Sequence, residues 1–206
     1  MKKINLTNWN RRQHYHHFIA LKDPYFAVTI PLDVSIAYKK AKENNHSFFA
    51  VYLHACMMAI NYTENFKYRI IGDEVFELDV IHASATISRE DNTFGFSYIN
   101  FSENFNEFNI NIINEKQRIK ESSELYPPLY GQDCIHCSAL PWISFSSQKE
   151  PFSGIQDSIP KIGFSKTFNE GSKLIMNVSI SVNHALVDGY HVGQFSEKFQ
   201  QFLNIK

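Results

Sequence analysis

The chain has little of anything that would give it a specialised architecture. Three cysteines in 206 residues are an odd number and too few for a disulfide framework, which points to a reducing compartment. Eight glycines and seven prolines form no Pro-, Gly- or Ser-rich linker. There is also no repeat and no low-complexity tract, so nothing divides the chain into domains. A net charge of −1 gives no basic face, so the balance offers no support for nucleic-acid binding. The opening MKKINLTNWNRR lacks the apolar centre of a signal peptide. The longest apolar run, FFAVYLHACMMAI from Phe48, is interrupted by His54 and falls short of a bilayer span. These absences predict a soluble, cytoplasmic protein of one domain, residues 1–206, with neither nucleic acid nor membrane as partner.

Signature motifs are missing too. There is no P-loop, no dinucleotide fingerprint and no G-x-S-x-G, which removes the commonest nucleotide and hydrolase readings. HYHH, residues 14–17, offers three imidazoles without a fourth ligand. CIHC, residues 134–137, lacks the second ligand pair of a zinc ribbon and does not open a helix as a redox pair would. No metal is expected.

The hydrophobic fraction of 44% and charged fraction of 20% are those of an ordinary globular protein. Eighteen Phe and ten Tyr exceed what a modest core needs, so part of that aromatic surface is expected to line a pocket or a subunit interface. Phe26, Val28, Ile30 and Leu32 alternate in FAVTIPLDV, the pattern of a half-buried strand. VSIAYKKAKENN reads as a helix ending at the Asn pair, and Phe48 to Thr63 as a helix buried on most sides. KYRIIGDEVFEL predicts a hairpin around Gly72-Asp73, and VIHASATI and TFGFSYINF two further strands. Phe105, Phe108, Ile112 and Ile119 recur at helical spacing. CSALPWISF reads as a strand that bends, or lies at an edge, at Pro141. KLIMNVSISV has the cleanest alternation, and a helix follows from about His191 with Val192, Phe195, Phe199 and Phe202 on one face. Such irregular interspersion predicts an α/β (α+β) fold, a mixed sheet covered by helices.

KLIMNVSISV leads directly to His184. Strand parity turns His184 to the side of Val182 and Ile180, and Asp188-Gly189 is a turn signal. Two readings stand side by side. His184 is a half-buried histidine beside a helix start that Asp188 caps, or it is a partly desolvated and therefore neutral imidazole, the form a general base needs at pH 7.

NHALVDGYHVG resembles the H-H-x-x-x-D-G-x-H signature of the chloramphenicol acetyltransferase family, whose wider relatives include dihydrolipoyl acyltransferases and peptide-synthetase condensation domains. NWNRRQHY near the start and CSALPW in the middle match in order, and the resemblance runs from about Asn8 to Leu203. Three motifs in register favour the second reading of His184. The resemblance implies a two-layer sandwich and an acetyl-CoA-dependent O-acetyltransferase acting on chloramphenicol or a similar small alcohol. It implies His184 as the base in a direct ternary-complex transfer, Ser138 as the oxyanion donor, and Asp188 paired with Arg11 in a structural role. It further implies Trp142 and Lys166 as contacts to CoA, and Phe18, Phe26, Phe94, Phe96 and Tyr126 as walls of the acceptor pocket. The assembly implied is a homotrimer with active sites between subunits, and the role antibiotic resistance. Four places depart from the family pattern, the first being His17-Phe18 where an aromatic-aromatic pair is usual. Asn183 replaces the first histidine, Phe96 stands where a small residue is usual, and Gly163 where a threonine is usual. They leave open a different alcohol, a thiol acceptor of the dihydrolipoyl class, or a binding protein that no longer catalyses.

Overall fold

Period-two alternation builds the sheet. The computed structural model describes every residue except Tyr130, Ser153, Gln156 and Lys206. A two-residue strand β1 (Lys2–Lys3) precedes helix α1 (Arg12–Ile19), strand β2 (Tyr25–Asp33) and helices α2 (Ser35–Glu43) and α3 (Phe48–Asn61). A hairpin follows, β3 (Tyr68–Ile71) and β4 (Glu74–Glu77), turning at Gly72 with φ 61°, where a glycine avoids strain. Next come β5 (His82–Ser88), β6 (Phe94–Phe96), helix α4 (Phe105–Lys120) and β7 (Cys134–Leu140). The chain ends with β8 (Lys161–Ser165), β9 (Phe168–Glu170), β10 (Lys173–Asn183) and helix α5 (Gly189–Leu203).

The main sheet is mixed, with order β2-β10-β8-β7-β5-β6 and β9 beside β10. Strands β5, β7 and β8 are mutually parallel; the other pairs are antiparallel. One face carries Ala83, Ala85, Ile135, Cys137, Ile162 and Phe164, continued by Val178, Ile180 and Val182 of β10, all buried. On this face α3 packs against α2 and α5. Burial of α5 follows a helical stripe of Val192, Phe195, Phe199 and Leu203, each large side chain stabilising by about 1.5–3 kcal/mol. The opposite face carries short polar side chains at the alternate positions, among them Ser84, Thr86, His136 and Ser138, with Gly163 and Ser179 on the neighbouring strands. Among the described residues no helix covers it in the way the apolar face is covered, and that asymmetry makes the molecule a two-layer sandwich.

Several sequence expectations need correction. β7 stops at Leu140, before Pro141, and is an interior strand; Pro141 ends it because proline cannot supply the N–H that a central position requires. β6 is only three residues long, although Ile99 adds a bridge to Ala83. α5 starts at Gly189, and Leu203 rather than Phe202 completes its buried stripe. Val28 is 37% exposed despite its parity. Among the described residues no helix is long and apolar enough to cross a membrane.

The hairpin and β1 form a separate small sheet, β1-β4-β3. Arg69 of β3 is fully buried and ties this sheet to the start of β7. Its guanidinium donates to the carbonyls of Gln132 (2.6 Å), Phe66 (2.9 Å), Tyr68 (2.7 Å) and Cys134 (2.8 Å). Burial pushes its pKa down to about 10, so it remains charged at neutral pH.

Candidate active site

His184 lies one residue past the end of β10, where its N–H donates to the Pro24 carbonyl (2.9 Å) and keeps the chain beside β2. Its ring is stacked on Phe18, centroids 3.9 Å apart and planes within 6°, and tilted against Phe26 at 4.5 Å. Two aromatic contacts fix the imidazole plane without using either nitrogen. Nδ1 is buried with no hydrogen-bond partner among the described residues.

The turn after His184 is built by its neighbours. Asn183, buried, accepts from the Ala185 N–H through Oδ1 (2.9 Å) and donates through Nδ2 to the Asp157 carbonyl (2.9 Å). This Asx-type bond explains why an asparagine serves there. Asp188 is the N-cap residue of α5 and forms an ion pair with Arg11. Arg11 also reaches the His184 carbonyl at 3.3 Å, so one guanidinium holds both ends of the turn. Trp9, two residues before Arg11, packs edge-on against Tyr68 (5.7 Å) and tilted against Tyr15 (6.0 Å), anchoring this stretch of chain.

His191, which the sequence reading did not single out, completes the group. Its Nδ1 accepts the Asp188 N–H at 3.1 Å and lies 2.8 Å from Asp188 Oδ1. Burial pushes its pKa down more strongly than Asp188 pulls it up, which suits the accepting, neutral ring. Asp188 is pushed up by burial, but the hydrogen bond and charge of Arg11, then His191 and His184, leave its carboxyl below the usual range.

Ser138 occupies the polar face of β7 and lines a cavity of about 390 Å³ together with Thr86, His136, Phe96 and Tyr126. Burial pushes His136 down, towards its neutral form. Phe96 and Tyr126 are 5.5 Å apart and Phe94 is 5.5 Å from Phe96, so these three candidates share one wall. Nine of the eleven candidate residues thus fall into two groups. Phe18, Phe26, Arg11 and Asp188 surround His184, while Phe94, Phe96 and Tyr126 accompany Ser138.

Strand register measures the gap between the groups. Ser138 pairs with Gly163 of β8, which pairs with Ser179 of β10. Two strand spacings of about 4.8 Å lead from Ser138 to Ser179, and five residues at about 3.3 Å lead on to His184, a separation of roughly 19 Å. Within one chain the histidine and the serine cannot act on the same atom.

Trp142 follows the end of β7 and is 71% exposed, unusual for so large an apolar side chain. It borders a cleft of about 820 Å³ that Arg89, Lys116 and Lys120 also line. The exposed Lys166 follows β8, its N–H donating to the carbonyl of Ile143, next to Trp142 (2.8 Å). The two candidates therefore share the carboxyl ends of adjacent parallel strands. Cys134 and Cys137 lie three residues apart on β7 and so face opposite sides of the sheet, while His14, His16 and His17 are exposed on α1.

Known proteins resemble this one along its length. The sequence profile of the family described as Chloramphenicol acetyltransferase matches residues 1–200. The chain is 30% identical over 193 residues to the chloramphenicol acetyltransferase of Bacillus pumilus, covering 92% of this chain and 88% of that protein. It is 27% identical over 207 residues to chloramphenicol acetyltransferase 3 of Escherichia coli, covering 99% and 97%. A solved structure of a chloramphenicol acetyltransferase superposes with a TM-score of 0.89 at 25% identity, covering 98% of this chain and 99% of that one.

Proposed function

Because the chain belongs to the chloramphenicol acetyltransferase family, we propose that it moves the acetyl group of acetyl-CoA to a hydroxyl of chloramphenicol or a similar small alcohol. The observation that carries the residue-level reading is the fixed imidazole of His184. It is clamped between Phe18 and Phe26, and its backbone is held by the guanidinium that pairs with Asp188. An imidazole held in this way can take the acceptor's proton through Nε2. The alkoxide oxygen attacks the thioester carbonyl, and the Ser138 hydroxyl donates to the oxygen that becomes negative. When that intermediate collapses the carbon–sulfur bond breaks, and the CoA thiolate leaves with the proton held by His184. No acyl-enzyme is needed, because acceptor and donor are bound together.

Asp188 and Arg11 act as positioning residues in this scheme. Trp142 and Lys166 are assigned to CoA, a flat apolar wall and a cation for phosphate respectively. Phe94, Phe96 and Tyr126 line the acceptor side, joined from a second chain by Phe18 and Phe26. The separation of roughly 19 Å supports the homotrimer that the family resemblance implies, with sites at the seams where His184 serves the Ser138 cavity of a neighbour. Three unpaired, buried thiols suit a cytoplasmic protein, and acetylation would make it an antibiotic-resistance enzyme.

The test follows free CoA with a thiol reagent after mixing protein, acetyl-CoA and chloramphenicol. Chloramphenicol-dependent release is expected, and His184→Ala should abolish it while CoA affinity stays near normal. A variant that keeps a tenth of the activity contradicts the base assignment. Release with dihydrolipoamide alone would move the acceptor to the thiol class.

A further inference from the structure

The Ser138 cavity contains a carboxylate, Glu150, that makes no ion pair among the described residues and shares its one neighbouring ammonium in this cavity, Lys161, with Asp157. One wall is aromatic, Phe96 against Tyr126, and the other brings together Glu150, Asp157 and Lys161. Lys161 Nζ lies 3.3 Å from Asp157 Oδ2, and the Tyr25 hydroxyl donates to Asp157 Oδ1. Asp157 and Lys161 therefore balance each other. Glu150 enters none of the ion pairs among the described residues. Two carboxylates against one ammonium leave this wall with a formal charge of −1.

Glu150 is held in place. Gln148 Nε2 donates to its Oε1 at 2.6 Å. Gln148 is in turn seated by a missing side chain, because a Cβ on Gly163 would lie only 1.9 Å from Gln148 Oε1. Gly163 is the register partner of Ser138, so the carboxamide fills the slot next to the serine. Its Oε1 is buried without a hydrogen-bond partner among the described residues. A half-buried carboxylate aimed into a cavity loses hydration when a ligand enters, and a neutral ligand does not make up the loss. An ammonium group does, through a charge-assisted hydrogen bond.

We infer that this pocket prefers acceptors carrying a protonated amine near the reacting hydroxyl, small aromatic amino alcohols, with Glu150 as the counter-charge and Gln148 as its positioning residue. The inference rests on the acetyl-transfer reading and names the acceptor class within it. Phe96 and Tyr126 take the aromatic body, and the hydroxyl reaches Ser138 on the same wall as Thr86. The acetyl transfer itself is unchanged; an ester forms and CoA leaves as the thiol.

The experiment compares chloramphenicol with the nitrophenyl aminopropanediol that remains when its dichloroacetyl group is removed. The two share ring and hydroxyls and differ in amide against ammonium. kcat/KM is measured for both at pH 7 with the wild-type protein, Glu150→Gln and Gln148→Leu, and amine affinity separately by calorimetry without acetyl-CoA. Glu150→Gln should lower kcat/KM for the amine about tenfold or more and change that for chloramphenicol by less than about threefold. Gln148→Leu should move the ratio the same way, with the KM for acetyl-CoA unchanged. Parallel loss on both acceptors, or no change on either, overturns the inference. If no acceptor is turned over but the amine binds in a Glu150-dependent manner, the pocket assignment stands and the transfer reading falls. Absence of both turnover and Glu150-dependent binding overturns the two together.

Discussion

Two nearly inactive variants should restore each other. A chain carrying His184→Ala keeps its serine, and one carrying Ser138→Ala keeps its histidine. If sites form at the seams of a trimer, each site draws its histidine from one chain and its serine from the next. In a random one-to-one mixture half the chains supply an intact histidine and half an intact serine, so about a quarter of the sites are whole. Activity should recover to about 25% of wild type. The register-derived gap of roughly 19 Å is what makes the figure meaningful, because no side-chain motion closes such a distance within one chain. If one chain held a complete site, the mixture would only average its parents. His184→Ala contributes almost nothing, and Ser138→Ala retains about 10⁻²–10⁻³ of the rate, so the mixture would stay below about 1%. The assay is CoA release from differently tagged, co-expressed chains, with hybrid species verified by native mass spectrometry. Verified hybrids that stay at the parental average would refute the reasoning.

Ser138→Ala alone should lower kcat by about 10²–10³ with little change in KM, because the hydrogen bond strengthens as negative charge develops; an effect confined to KM removes the oxyanion role. Asp188→Asn leaves the Arg11 charge without its partner. A broken buried pair costs roughly 3–5 kcal/mol, and the 29% exposure of the Asp188 side chain puts the loss near the lower end, a drop in Tm of about 6–12 °C. Since the folded carboxyl titrates below its unfolded value of about 3.9, its contribution is complete above that value and is lost as pH falls through the folded one. The stability gap between wild type and variant should therefore be flat from pH 8 to about 5 and close below about 4; a gap that is widest in acid contradicts the pairing.

Legibility in the sequence followed periodicity and motif. β10 and α5 were readable because one side of each is fully buried over many residues. β8 is not legible because KIGFS offers only Ile162 and Phe164 as alternation, too short to stand out. α1 is not legible because RQHYHHFI buries only Tyr15. His184, Asp188, Arg11 and Ser138 lie in recognisable stretches, and the structure adds how the turn holds them. Gln148 and Glu150 come from an irregular segment without period, and gain meaning only through the space that Gly163 leaves. The split of the aromatic residues into two groups was equally hidden, since linear spacing carries no information about which strand end each one faces.

Gly163 and Gln148 compete for a single volume, and that ties their histories together. A side chain gained at 163 evicts the carboxamide and frees Glu150 from its tether, whereas the same change after Gln148 has been trimmed displaces nothing. Substitutions at the two positions are therefore epistatic, and the order in which a lineage acquires them decides whether an intermediate keeps its acceptor preference or loses it.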